Sequence, residues 1–324
     1  MEYRQLGKWG ARVSCLGMGS YLTIGMACDK ETSQVMVREA IDAGINYFDT
    51  ANAYNLGQAE IALGECLADY PRSSLFVLTK VFAPMGDGPN DRGLSAKHIR
   101  EQCDASLKRL GMDYVDVYMC HRPDPCTPLE ETIRAMEDLI RSGKVLYWGF
   151  SEWPSSLIME ADGLVKAVGA RPPVVSQPRY NLLYRHPEDT LFPTTAKLGI
   201  GNVTFSPLAH GVLTGKYKPG ETPAAGTRAA DPKKNTIMME LYWSDDKLAK
   251  ALELGAMGAD HGVGAAEMAL AWCLSNLNVS SVILGTTRVE QLRQNLKALS
   301  VKLSDEELRR IDMLFPKATA GPAF

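Results

Sequence analysis

The 324-residue sequence predicts a (β/α)8 barrel, and three observations carry that prediction. Short apolar runs alternate with amphipathic stretches along almost the whole chain, without a break in period. The apolar runs are hydrophobic on consecutive residues, as strands buried on both faces are. Single polar residues close most of these runs, and in such a barrel all strand tips meet on the one face where sites are built.

Eight strand-like runs follow in order: VSCLGMG (13–19), INYFDT (45–50), LFVLTKV (75–81), VDVYMCH (115–121), VLYWGFS (145–151), VVSQ (174–177), VTFSP (203–207) and SSVILG (280–285). Helical patterns fill the spaces between and after them, at 31–44, 58–70, 94–111, 128–143, 155–169, 187–199, 245–262 and 289–299. Several begin at Ser, Thr, Pro or an acidic residue and end at Gly, the asymmetry of helix caps. Gly44, Gly111, Gly143 and Gly199 fall just before strands, so the returning loops are short. Two connections are long, 82–94 after the third strand and 211–244 after the seventh. Long loops in a compact fold are often functional. Residues 264–276 add a helix before the eighth strand, and no linker breaks the pattern, so residues 1–324 are expected to form one domain.

Composition narrows the function. A net charge of −3 gives no broad electrostatic footprint for nucleic acid or an anionic membrane. No apolar run approaches the ~20 residues of a membrane span, and the start, MEYRQLGKWG, lacks a signal-peptide pattern. The seven cysteines are scattered, odd in number and without C-x-x-C spacing, which predicts a reducing, cytoplasmic setting. The sequons at Asn202 and Asn278 are then chance.

The strand tips carry the chemistry. They read Asp49, Lys80, His121, Ser151, Gln177, Ser206, then Gly285 with Thr286, and Tyr54 lies five residues beyond Asp49. A tyrosine, with a pKa near 10, is a competent acid at neutral pH if an ammonium stabilises its phenolate. A buried ammonium in turn needs a carboxylate to stay charged. The expected arrangement is therefore Asp49 holding Lys80, Lys80 lowering Tyr54, and His121 donating to a substrate oxygen. There is an acid and an oxyanion stabiliser but no nucleophile. A Schiff-base role for Lys80 is disfavoured, because Asp49 would keep the amine charged. No metal is expected: CHRPDPC (120–126) lacks a second ligand pair. Tyr21, Phe82 and Trp153 follow strand tips and are expected to line a substrate pocket with Tyr54 and His121.

With these residues in place the chain resembles the aldo-keto reductases, most closely the branch of the potassium-channel β subunits and their bacterial relatives. The carrying motifs are GINYFDTANAY (44–54), VLTKV (77–81), SLKRLGMDYVDVYMCHRPDP (106–125), FSPLAHGVLTGKY (205–217) and LGTTRVEQLRQN (284–295). The resemblance implies Tyr54 as proton donor, Lys80 and Asp49 as its support, and His121 orienting a small-molecule carbonyl substrate. It implies NADPH/NADP+ as cofactor, with Ser151 and Gln177 at the nicotinamide amide. Ser206, Pro207, Leu208, Lys216 and Arg228 would lie over the cofactor, and Thr287, Arg288, Gln291 and Asn295 at the adenosine end and its 2′-phosphate. Ser20, Tyr21, Asp49, Phe205, His210 and Gly285 complete the implied cofactor set. A helix N-terminus beside Arg288 suits a phosphate on its own physics. Glu152 and Gln294 stand where that branch carries Arg and commonly Glu, Ala27 and Phe205 where it has Gln and Trp, and His121 where the animal subunits have Asn. The resemblance leaves open a second class, a binding subunit that senses NADP(H) for a membrane partner. A chain starting at Met1 would lack the N-terminal extension that some such subunits use. A homo-oligomer also stays open.

Overall fold

A computed structural model describes residues 1–317. The chain opens with an antiparallel hairpin, β1 (Tyr3–Gln5) with β2 (Arg12–Ser14), and then enters the barrel at β3 (Leu16–Gly19). There follow α1 (Lys30–Asp42), β4 (Tyr47–Asp49), α2 (Gln58–Leu67), β5 (Phe76–Val81), α3 (Ala96–Leu110), β6 (Val115–Cys120) and α4 (Leu129–Arg141). The second half comprises β7 (Val145–Ser151), α5 (Ser155–Val168), β8 (Val175–Gln177), α6 (Leu191–Leu198) and β9 (Gly201–Thr204). Beyond the long loop come α7 (Thr236–Leu241), α8 (Asp245–Met257), α9 (Ala265–Ser275), β10 (Val279–Leu284), α10 (Val289–Leu296) and α11 (Asp305–Leu314). Strands β3 to β10 close a parallel barrel, with β10 paired to both β9 and β3. The expected (β/α)8 barrel is the observed one, including both long loops and the extra helix before the last strand.

Local signals set the helices. The Asp29 carboxylate accepts from Thr32 N and caps α1, and Ser95 and Ser244 cap α3 and α8 in the same way. Helix α3 ends at Gly111, whose φ of 64° is the left-handed conformation that favours glycine.

Two features depart from the sequence reading. Residues 13–19 are not one strand: Arg12–Ser14 pairs with Tyr3–Gln5, and the barrel strand starts at Leu16. The hairpin plugs the barrel, as Leu6 and Val13 join Tyr47, Phe76, Leu78, Val117, Met119, Val175, Val203 and Ile283 in the interior cluster. Helices α7 and α11 are also additional. Helix α11 begins at a capping box in which Ser304 accepts from Glu307 N and the Glu307 carboxylate accepts from Ser304 N. No helix among the described residues is long and apolar enough to cross a membrane.

Candidate active site

Strand alternation places the site. Tyr47, Leu78, Met119, Val175 and Val203 face the interior. A period of two then sends Asp49, Lys80, His121, Gln177 and Phe205 to the same face one layer higher. Ser151 follows from Tyr147, which packs on that cluster, by the same step taken twice. Gly17 on β3 makes room, because a Cβ there would lie 2.2 Å from Cδ1 of Tyr47.

The groups meet as expected. Lys80 Nζ donates to Asp49 Oδ1 at 2.6 Å and to the Thr50 carbonyl at 2.8 Å, and lies 3.4 Å from the Tyr54 hydroxyl. Lys80 is 0% and Asp49 3% exposed. The Tyr54 ring sits between Tyr21, at a centroid distance of 5.0 Å, and His121, at 5.6 Å. The sequence reading missed what holds Asp49 from the other side. Gln177 Nε2 donates to Asp49 Oδ2 at 2.6 Å and the Tyr47 hydroxyl donates to it at 3.2 Å. Tyr47 was legible in principle, two residues before Asp49 and therefore on its face. Arg122 was also missed. Its Nη1 donates to the His121 carbonyl at 2.6 Å and to Ser151 Oγ at 3.3 Å.

The electrostatics correct one expectation. Burial, and then the Asp49 carboxylate, push the Tyr54 phenol well above its ordinary value. Lys80 was expected to lower it. The ammonium is matched instead by Asp49 at contact distance, so the phenol faces the cost of burying a phenolate next to a nearly neutral pair. Burial also pulls Lys80 down, with Asp49 opposing. Burial, Lys80 and Arg122 together hold His121 well below the usual histidine range. His121 is therefore a neutral imidazole, and its buried Nδ1 has no partner among the described residues.

The remaining residues divide. Ser151 Oγ donates to the Gln177 carbonyl at 2.8 Å, joining the two expected at the nicotinamide amide. Ser20 is buried and donates to Thr50 Oγ1 at 2.9 Å, a link between strands beneath the site. Phe205 packs against the barrel interior, while Phe82 is half-buried against the outer core. Trp153 is not a pocket residue. It is 3% exposed and stacks on Phe150 at 4.9 Å, because the chain turns at Glu152 with a φ of 55° and carries the indole into the core.

The loops after β9 and β10 carry the cations that the phosphates of a dinucleotide would need. Lys216, Arg228 and Arg288 have no carboxylate within ion-pair distance among the described residues, although many other cations in the chain do. Arg228 Nη1 donates to His210 Nδ1 at 3.3 Å, and the Lys216 ammonium would lie 3.7 Å from a Cβ at Gly211, so both fold onto one turn. Ser206, Pro207 and Leu208 form the start of that turn. Thr287 and Arg288 are exposed at the start of α10, where Gln291 Oε1 accepts from Thr287 N at 3.0 Å. Gly285 is exposed with open space on its Cβ side, whereas Asn295 is buried in α10 at 6% exposure. The non-glycine residues with positive φ among those described are Leu22, Asn55, Leu56, Glu152, Ser206, Ala209 and His210. All lie on loops that follow barrel strands, and such strain concentrates at functional sites.

His210 is expected to make this turn pH-sensitive. An arginine only donates, so Nδ1 must accept and Nε2–H must point to Ser206 Oγ, 3.2 Å away. Burial, then Arg228 and Arg179, lower His210 from 6.5 to about 4. Between those values the unfolded chain binds a proton that the folded one refuses, so stability falls as pH drops from 6.5 towards 4. Unfolding free energies of the parent and His210→Gln, from urea titrations, should diverge as pH falls through that window, by about 3 kcal/mol at most. Parallel pH curves would contradict the assignment.

A barrel carrying this constellation has known relatives. Residues 15–315 match the model of the Aldo/keto reductase family. A protein of Oryza sativa subsp. japonica named "Probable voltage-gated potassium channel subunit beta" is 46% identical over 304 residues, covering 93% of this chain and 92% of the relative. A protein of the same name from Arabidopsis thaliana is 45% identical, with the same coverage of both chains. The barrel, the family model over residues 15–315 and relatives that cover 93% of the chain agree, and the chain belongs to the aldo/keto reductase family.

Proposed function

We propose that the protein is an NADPH-dependent oxidoreductase that reduces an aldehyde or ketone to the alcohol. The observation that carries this reading is the chain Asp49–Lys80–Tyr54 beside a neutral His121 with an unpartnered ring nitrogen. When bound, reduced nicotinamide would supply a hydride to the carbonyl carbon and be oxidised in doing so. His121 donates to the carbonyl oxygen and fixes its direction. As charge develops on that oxygen, Tyr54 transfers its proton there, and bulk water reprotonates the phenolate. The high pKa of the buried phenol does not prevent this, because an alkoxide is a stronger base than a phenolate. Lys80 holds the phenol in place, and Asp49, gripped by Tyr47 and Gln177, holds Lys80. The reaction consumes one NADPH, one proton and one carbonyl. Oxidation of NADPH across a panel of aldehydes and ketones tests the reading.

Support for NADPH over NADH comes from Lys216 and Arg288, exposed cations without carboxylate partners. Arg288→Ala is expected to weaken NADPH binding roughly tenfold or more, the scale of one charge-assisted contact, while barely altering NADH. Equal losses for both cofactors in a fluorescence titration would remove Arg288 from the 2′-phosphate. We place the protein in the cytoplasm on its cysteine usage.

The names of the two relatives favour a second reading, an NADP(H)-sensing subunit of a potassium channel. Tight NADPH binding with no turnover on any carbonyl in the panel would favour it.

A further inference from the structure

The residue next to His121 is a cation that the Asp49, Tyr54, Lys80 and His121 cluster does not use. Arg122 is exposed at the end of β6, and one of its nitrogens, Nη1, is anchored on the His121 carbonyl and on Ser151 Oγ. Among the described residues its Nε and Nη2 donate to no protein acceptor, and no carboxylate lies within ion-pair distance. The nearby carboxylates are committed elsewhere. Asp124 accepts from Leu94 N at 2.7 Å, Cys126 N at 2.9 Å and Thr127 Oγ1 at 2.8 Å. Glu152 accepts from the backbone N of Arg179 at 2.7 Å, and Asp49 is filled by Lys80, Gln177 and Tyr47.

This charge lies within reach of the groups assigned to the reaction. The field of Arg122 reaches Tyr54, Lys80 and His121, lowering all three. A nicotinamide held by Ser151 would become cationic on giving up its hydride, and Ser151 is a direct partner of Arg122. A guanidinium there opposes the formation of that charge. The cations on the β9 and β10 loops suit the cofactor phosphates, whereas Arg122, on the β6 loop, is next to the residue assigned to the substrate carbonyl and is anchored on its backbone. A planar fork with two free edges matches a carboxylate in geometry and charge.

We propose that Arg122 determines specificity by binding a carboxylate on the substrate, so that the preferred substrates are aldehydes or ketones that carry a carboxylic acid. The inference rests on the carbonyl-reductase reading and deepens it. The bound carboxylate would neutralise Arg122 before any cationic nicotinamide formed, and the guanidinium would fix the distance from the acid group to the carbonyl on His121.

The test compares 4-carboxybenzaldehyde with its methyl ester, which keeps the ring and the aldehyde and removes the charge. The parent should favour the acid in kcat/KM, and the acid-to-ester ratio should fall about tenfold in Arg122→Gln, the scale of one charge-assisted hydrogen bond. An unchanged ratio, or a parent that prefers the ester, overturns the proposal. Calorimetric titration of the NADP+-bound protein with the same acid separates the two readings. Acid binding that weakens about tenfold in Arg122→Gln, with no aldehyde turned over by the parent, sinks the reductase reading and leaves the anion site standing. If the parent turns over neutral aldehydes but binds the acid no better than the variant does, the anion site falls and the reductase reading survives.

Discussion

Tyr54→Phe is expected to reduce carbonyl turnover by roughly 10²-fold or more, the usual loss when a general acid is removed. The substitution deletes one oxygen and little else. The ring keeps its contacts with Tyr21 and His121, and the Lys80–Asp49 pair beneath it keeps its 2.6 Å bond. NADPH affinity should therefore be nearly unchanged, and the loss should appear in kcat more than in KM. The parent's pH profile makes the same point. Because burial raises the phenol above its ordinary value of 10.0, reduction should not lose rate through Tyr54 ionisation below that pH. A variant that retains turnover on an established substrate would show that another group supplies the proton.

How much of this was legible depended on whether a residue interrupts a pattern or hides within one. Asp49, Lys80 and His121 stand out because each ends an apolar run with a charge or a ring that the run does not need. Tyr47 hides in such a run. A tyrosine between Asn46 and Phe48 reads as barrel filling; its spacing puts it on the face of Asp49, and the closed barrel brings its hydroxyl to 3.2 Å from that carboxylate. Trp153 was misplaced for a backbone reason. Two residues past a strand tip suggests a loop facing a pocket, but the left-handed turn at Glu152 reverses the chain and buries the ring. The hairpin β1–β2 escaped because three-residue strands carry too little periodicity to register. The direction of the Tyr54 shift was missed for want of distances: the sequence names Asp49, Lys80 and Tyr54 together, but not that the ammonium is 2.6 Å from the carboxylate and 3.4 Å from the phenol. Helix α11 had a readable signal, Ser304 and Glu307 at capping-box spacing, that went unused.

The Asp49–Lys80 pair should behave as one unit in turnover and as two unequal halves in stability. Removing either partner of a buried ion pair costs about 3–5 kcal/mol, whereas replacing both is often close to neutral. Asp49→Asn and Lys80→Met should each impair turnover severely, and the double variant should be about as slow as the worse single one. The halves differ in what each orphan retains. After Lys80→Met, Asp49 still accepts from Gln177 and Tyr47. After Asp49→Asn, Lys80 keeps the Thr50 carbonyl and a long contact to Tyr54, and it loses the charge that opposed its burial. Its pKa, already below 10.5 in the parent, should then fall further. Above that lowered value the folded protein holds fewer protons at this site than the unfolded chain, so stability rises with pH until the unfolded lysine titrates as well. Urea midpoints of Asp49→Asn should therefore climb between neutral pH and pH 10.5 more steeply than those of the parent or the double variant. A flat curve would mean that Lys80 does not depend on Asp49 for its charge. Additive losses of turnover in the double variant would place Asp49 on a separate task, and the support assigned to it beneath Tyr54 would have to be given up.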